Sequence, residues 1–426
     1  MKVFMRLFKI SAPGVLFLIL VFCFQLRAYG ESLSSLKQNA ANGNTKAMET
    51  LGFNYQFGFF GVQKNYAKAF YWFKRAALKG DKYAETELGN YYLKGIGTAK
   101  NYVNAFYWFR RAAIQGYGNA ENKLGYLYEF GLGIQVNYLK AVYWLKKAAM
   151  QGSAHAEVNL GKIYFYGPFF YRNYPKAINL WKKAAQQGSS KAQLELGNAY
   201  YRGKGVSQNY VYAIYWMKKA ARQGNRVAED DIGTAYEIGM GIQKNPTMAF
   251  YWYKKAAKNG VISAANNLGY AYQNGIGTSI NYLKAFYWDQ KAAIGGNVSA
   301  RNNLGYLYEH GLGTPVNYAK SAYWLKKAAA TGDGDSESNL GMAYELGHGV
   351  TQNYAEAVYW FRKSAEQGNS NGESNLAVAY YFGYSVPKSY AKAVYYFKLA
   401  AAQGNAMAEK NLMVIESGGN IVITEH

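Results

Sequence analysis

The chain has 426 residues, 50% hydrophobic and only 17% charged, longer than the roughly 250–300 residues that one hydrophobic core supports; with 6 prolines it is not a Pro-rich or disordered chain either. A formal charge of +23 favours anionic neighbours. The single cysteine, Cys23, excludes a disulfide framework and a zinc–thiolate site.

At the N-terminus Lys2, Arg6 and Lys9 precede an apolar stretch from Ile10 to Phe24, and small residues follow at Ala28 and Gly30. This pattern reads as a secretory signal over residues 1–30, cleaved after Gly30, and predicts a periplasmic or secreted protein. The alternative is an uncleaved segment that anchors the chain in the inner membrane. Cleavage would remove Cys23 and so every thiol. For an exported chain nucleic acid is not the expected partner; lipid head groups, anionic envelope polymers or an acidic protein are. No later apolar run approaches the roughly 18 residues of a membrane span.

Residues 31–43 read as a lone capping helix, from Ser32 to Asn42. From 44 to 405 the chain repeats itself. A Leu-Gly pair, Ile-Gly in one unit, places its glycine at Gly52, Gly89, Gly125, Gly161, Gly197, Gly233, Gly269, Gly305 and Gly341, with a first interval of 37 and later intervals of 36. A tryptophan ladder at Trp72, Trp108, Trp144, Trp216, Trp252, Trp288, Trp324 and Trp360 agrees, with Leu180 on the ladder and Trp181 one place late. A fixed period of this length means stacked repeats.

Each unit predicts two helices. Over 118–152, Ala120, Leu124, Leu127 and Tyr128 recur at helical spacing, Gly131 and Gly133 supply a helix stop and a tight loop, and Asn137 is the N-cap of a second helix. Pro175 and Pro246 fall in the first turn of such second helices, where a missing N–H costs little. Ala141, Trp144, Leu145 and Ala148 face the core, and Gln151-Gly152 ends the helix. One pair leaves an apolar flank exposed, so it needs neighbours. Residues 406–417 read as a closing first helix, and 418–426 as a short tail.

The pattern A-x3-LG-x2-Y-x2-G-x-G-x3-N-Y-x-KA-x2-W-x2-KAA-x2-G resembles the Sel-one-like repeat, a relative of the tetratricopeptide repeat, over roughly residues 36–416. The loop Gly167-Pro168-Phe169-Phe170 departs from it. The resemblance implies an all-α fold, an α/α superhelical solenoid of about ten repeats, in an exported bacterial member that binds protein or peptide. It implies no cofactor. One branch of the family, with paired cysteines in each repeat, is linked to β-lactam chemistry; this chain lacks them.

The residues themselves offer no catalytic constellation. His155, His310, His348 and His426 lie in different units, with no HExxH pairing. The paired loop glycines are followed by no GK[ST] element, and Asp230 and Asp231 need not converge. His348, between two loop glycines, reads as a solvated loop residue.

By analogy with tetratricopeptide repeats, the first helices line a concave face. Its candidate residues are Asn122, Asn266 and Asn302, then Tyr126, Tyr270 and Tyr306, then Glu129, Glu237, Gln273, Glu309 and Glu345. Amides and tyrosines in rows suit an extended peptide, and the acids form a mild stripe. The doublets before each Ala-Ala, among them Lys146-Lys147, Lys218-Lys219, Lys254-Lys255 and Lys326-Lys327, predict a basic ridge on the other side, suited to an anionic polymer or membrane surface. The sequence reading is therefore a scaffold for protein–protein interaction in envelope assembly, regulation or host interaction. Its rivals are a polysaccharide or peptidoglycan binder, a host-directed virulence factor and, last, a β-lactam or cell-wall hydrolase.

Overall fold

The computed structural model describes residues 32–417 and 419–421; the segment 1–30 read as an export signal lies outside them, as does most of the tail. Among the described residues every regular element is a helix, and none is long and apolar enough to cross a membrane. The chain divides into two compact units, the first ending at Asn225 and the second beginning at Arg226.

The first unit contains α1 (Leu33–Ala41), α2 (Thr45–Phe57), α3 (Tyr66–Leu78), α4 (Lys82–Lys94), α5 (Tyr102–Ile114), α6 (Gly118–Phe130), α7 (Tyr138–Met150), α8 (Ala154–Tyr166), α9 (Tyr174–Gln186), α10 (Ser190–Arg202) and α11 (Tyr210–Arg222). The second contains α12 (Arg226–Ile238), α13 (Pro246–Lys258), α14 (Ile262–Asn274), α15 (Tyr282–Ile294), α16 (Val298–His310), α17 (Tyr318–Ala329), α18 (Gly334–Leu346), α19 (Tyr354–Glu366), α20 (Ser370–Phe382), α21 (Tyr390–Ala402) and α22 (Ala406–Glu416). Within each unit a first helix packs on its own second helix, and that pair packs on the next. Each unit is thus an α/α solenoid.

The repeated residues explain the repeated geometry. Asn137 Oδ1 accepts the Lys140 N–H at 2.9 Å, while the Asn137 N–H donates to the Tyr128 carbonyl at 2.8 Å. One residue thereby starts α7 and fixes it to the end of α6; losing such a cap costs about 1 kcal/mol. Pro175 and Pro246 stand in the first turns of α9 and α13, as their missing N–H allows. Gly133 has φ +73°, and a Cβ there would lie 2.3 Å from the Tyr102 carbonyl of the preceding repeat. The second loop glycine is therefore a contact between repeats as well as a turn.

The Leu-Gly glycine has a different role. A Cβ on Gly125 would lie 2.6 Å from Leu145 Cγ, so each such glycine is the hole that receives one side chain from the second helix. This core slot holds Phe73, Phe109, Leu145, Trp181 and Met217 in the first unit, and Tyr253, Asp289, Leu325, Phe361 and Phe397 in the second, all of them buried. A large apolar residue so buried contributes about 1.5–3 kcal/mol. Trp181, one place late on the tryptophan ladder, is therefore a slot residue. Its indole N–H donates to the Val158 carbonyl at 3.2 Å. Asp289 is the exception, a fully buried carboxylate whose oxygens accept no hydrogen bond. Burial pushes its carboxyl well above the usual range, with the Asn303 side chain opposing.

Candidate binding face on the first helices

The first helices leave one row of positions out of the core. Tyr126, Tyr270 and Tyr306 are each 37–47% exposed, amphipathic surfaces that need little ordering on binding. Tyr126 lies 4.7 Å from Phe130 and Tyr306 lies 4.3 Å from His310, ring centre to ring centre.

The asparagines do not stand free. Asn159 Nδ2 donates to Asn122 Oδ1 at 2.9 Å, Asn339 to Asn302 at 2.9 Å, and Asn375 to Ser338 Oγ at 3.1 Å; Asn303 reaches Asn266 at 3.5 Å. Amide rungs thus join neighbouring first helices. Each rung uses the predicted position of one repeat and the position after it in the next, a spacing of 37. The residues Asn159, Asn303, Asn339 and Asn375 belong to the face and were missed, because a period of 36 aligns each position with its own copy. Each rung amide keeps a second N–H and spare lone pairs for a ligand.

The acids are likewise engaged. Glu237 accepts from the Tyr253 hydroxyl at 2.5 Å, and Glu309 lies 2.9 Å from His348 Nδ1. Burial pushes Glu129 up to about 7, Lys162 opposing it, and burial also raises Glu345. Gln273 is half-buried with its side-chain oxygen unbonded. The expected acidic stripe is thus a set of partnered or desolvated carboxyls rather than a row of free charges. His348 is not a solvated loop residue: it is half-buried, stacked on Tyr318 at 4.0 Å, and held by Glu309.

The face differs between the two units. In the first, a hollow of about 270 Å³ is lined by Lys123, Lys191, His155, Tyr126 and the Asn122–Asn159 rung. Its chemistry is cationic. Desolvation and the charge of Lys94 hold Lys123 below its ordinary range; desolvation, then Lys191 and Lys123, lower His155. In the second unit, a hollow of about 380 Å³ is lined by Tyr306, Glu309, His310, Tyr318, Met342, His348 and the amides Asn339 and Asn375. It is nearly neutral, aromatic and rich in amides.

The lysine doublets divide their labour. The second member folds back over the Tyr-Trp pair of its own helix: Lys147 lies 5.5 and 5.2 Å from the Tyr143 and Trp144 rings, Lys219 4.6 and 5.0 Å from Tyr215 and Trp216, and Lys327 4.6 and 5.5 Å from Tyr323 and Trp324. Lys255 lies 4.9 Å from Trp252 and 3.0 Å from the buried Glu229 carboxylate. The first members Lys146, Lys254 and Lys326 are exposed and Lys218 is half-buried. Lys254 lies over Phe250 and Lys326 over Tyr344. Lys147 and Lys327 are exposed as well, whereas Lys219 and Lys255 are half-buried.

A further row went unread in the sequence. Glu85, Glu121 and Glu157 are buried on the first helices, and each accepts from a glutamine at the end of its partner helix, Gln115, Gln151 and Gln187, at 2.8–2.9 Å. The signal was present as Ala-Glu followed 30 residues later by Gln-Gly. These clamps hold a helix pair together and belong to the frame.

Comparison with known proteins agrees with this architecture. A Sel1 repeat profile matches ten consecutive segments between residues 45 and 405. A protective antigen present in uropathogenic Escherichia coli strains and displaying an SLR fold, c5321, is 34% identical with a TM-score of 0.71, over 91% of this chain and 83% of that one. A Sel1 repeat protein from Oxalobacter formigenes is 32% identical with a TM-score of 0.56, over 73% of this chain and 90% of that one. No curated protein matches the chain in sequence.

Proposed function

The chain belongs to the Sel1 repeat family, and from that premise we propose that it is an exported scaffold whose first-helix faces hold extended segments of a partner protein. The observation that carries this reading is the combination of amide rungs and exposed tyrosines on the first helices, with rungs joining α14, α16, α18 and α20 in the second unit and α6 to α8 in the first. Neighbouring packed helices lie roughly 8–10 Å apart. An extended chain covers that in about three residues at ~3.3 Å each, so the three consecutive rungs of the second unit meet backbone groups at regular intervals. The cationic hollow of the first unit selects an acidic segment, and the neutral hollow of the second accepts an uncharged one with an aromatic or amide side chain. Family proteins of this kind are repeat scaffolds rather than enzymes, and no reaction is assigned to either hollow.

Export is supported by the basic-then-apolar N-terminal sequence. The E. coli relative is described as a protective antigen, which supports a role at the envelope or toward a host. The test is a crosslinking pull-down from the cell envelope with the wild-type chain and with a Tyr126→Ala, Tyr270→Ala, Tyr306→Ala variant. A protein partner lost with the variant, at unchanged helical content, is the expected result. Recovery of glycan alone would replace this reading with the polysaccharide-binding one.

A further inference from the structure

The second helices carry a Tyr-Trp pair in every repeat but one, from Tyr71-Trp72 to Tyr359-Trp360, ending in Tyr395-Tyr396; the first ring is exposed and the second half-buried or, at Trp108, buried. In the repeat 154–189 both rings are missing, and Asn179-Leu180 stand in their place. In the repeats that carry Tyr-Trp the lysine or arginine one turn later lies over one or both rings, as Lys147 covers Tyr143 and Trp144. Lys183 has no such rings on its own helix. Between α7 and α9 this leaves an open hollow of about 350 Å³, walled by Met150, Leu160 and Leu180 and rimmed by Lys146, Lys176 and Lys183. That volume lies at the small end of ligand sites. The one acid lining it, Glu157, already accepts from Gln187 at 2.9 Å.

We propose that this hollow is a docking point for an aromatic side chain, tryptophan or tyrosine, flanked by acidic residues on a partner protein. The other repeats supply the template for the ring: where it is present, it lies on an apolar wall of the second helix under a cation. The vacancy at Leu180 has the wall and the Lys183 cation and lacks the second-helix ring; the one ring in its lining, Tyr164, lies under Lys176 at 6.0 Å. Charge complementarity supplies the flanks, since three exposed lysines rim the hollow against one carboxylate that is already hydrogen-bonded. A cation over a desolvated indole adds attraction of its own. This site lies on the second helices and stands independently of the first-helix reading.

The test uses the purified full chain and three labelled peptides followed by fluorescence anisotropy: a tryptophan flanked by two acids on each side, the same peptide with leucine for tryptophan, and the tryptophan peptide with lysines for the acids. The protein variant is Leu180→Trp, which installs the residue that eight other repeats carry at this rung and fills the hollow from within. The acidic tryptophan peptide is expected to bind wild type, and to bind at least tenfold more weakly to Leu180→Trp at unchanged melting temperature. The other two peptides are expected to be at least tenfold weaker on wild type. A second variant, Lys183→Gln, should lose the preference for acids and keep its fold. Equal binding to wild type and Leu180→Trp, equal binding of the basic peptide, or no binding of the acidic tryptophan peptide would each overturn the proposal.

Discussion

Trp181 in the first unit and Asp289 in the second occupy the same slot of the repeat, opposite the Leu-Gly glycines Gly161 and Gly269. Both are completely buried. The larger residue succeeds because its one polar group finds the Val158 carbonyl. The smaller one is left with two oxygens and no hydrogen-bond donor. Polar satisfaction, more than volume, therefore decides what this slot tolerates. Because repeats are stabilised by their neighbours, each unit should reflect the quality of its own slots.

The comparison can be broken first at Trp181. Trp181→Ala should destabilise the first unit by about 3–5 kcal/mol, the usual cost of removing a buried large aromatic, read by urea unfolding. A cost below roughly 1 kcal/mol would mean that the slot is not core.

Asp289→Leu should act in the opposite direction, removing an unsatisfied buried group that costs about 1–3 kcal/mol and adding apolar burial. The pH dependence sharpens it. The Asp289 carboxyl is raised in the folded chain above its ordinary value of 3.8, so the folded state holds this proton more tightly than the unfolded state. Its contribution is fully present below the unfolded value and is lost as pH rises through the folded one. The stability advantage of Asp289→Asn over wild type should therefore grow from pH 4 toward neutrality, as followed by thermal melts. A constant or shrinking advantage would show that the carboxyl is not desolvated. Glu129, raised to about 7, behaves in the same sense on a smaller scale: Glu129→Gln should remove a loss of stability that develops between pH 4.5 and 7.

The smallest expected effect lies on the exposed second-helix surface. Lys147→Met should cost at most about 0.5–1 kcal/mol, the worth of an exposed cation–ring contact, and Lys146→Met should cost less, because Lys147 lies over two rings of its own helix and Lys146 points away from them. Equal costs would remove the division between the two lysines.

Much of the frame was legible from the sequence because caps, helix stops and core positions follow the helical spacing within one repeat, whereas the Glu–Gln clamps and the Gly133–Tyr102 contact join residues about 30 apart and were not read. Asn137 as cap, Gly131 as helix stop and Ala120, Leu124 and Leu145 as core residues follow from spacing alone. The candidate face was legible only in part. Tyr126, Tyr270 and Tyr306 were chosen by analogy with tetratricopeptide repeats, and they stand exposed. The amide rungs were not, because lateral neighbours pair at a spacing of 37. Nor was the Glu309–His348 pair, which joins a first helix to a loop 39 residues away. The hollow beside Leu180 could have been anticipated from the missing Tyr-Trp pair, but its depth depends on where Lys146 and Lys176 come to rest.

The central claim is that an extended partner segment is held on the first-helix faces while the repeated second-helix aromatics belong to the frame. It is tested most directly by placing a photo-crosslinking amino acid at Tyr306 in one version of the chain and at Tyr323 in another, both expressed in the native cell. A protein adduct from position 306 and none from 323 is the expected result. Adducts from 323 alone would contradict it.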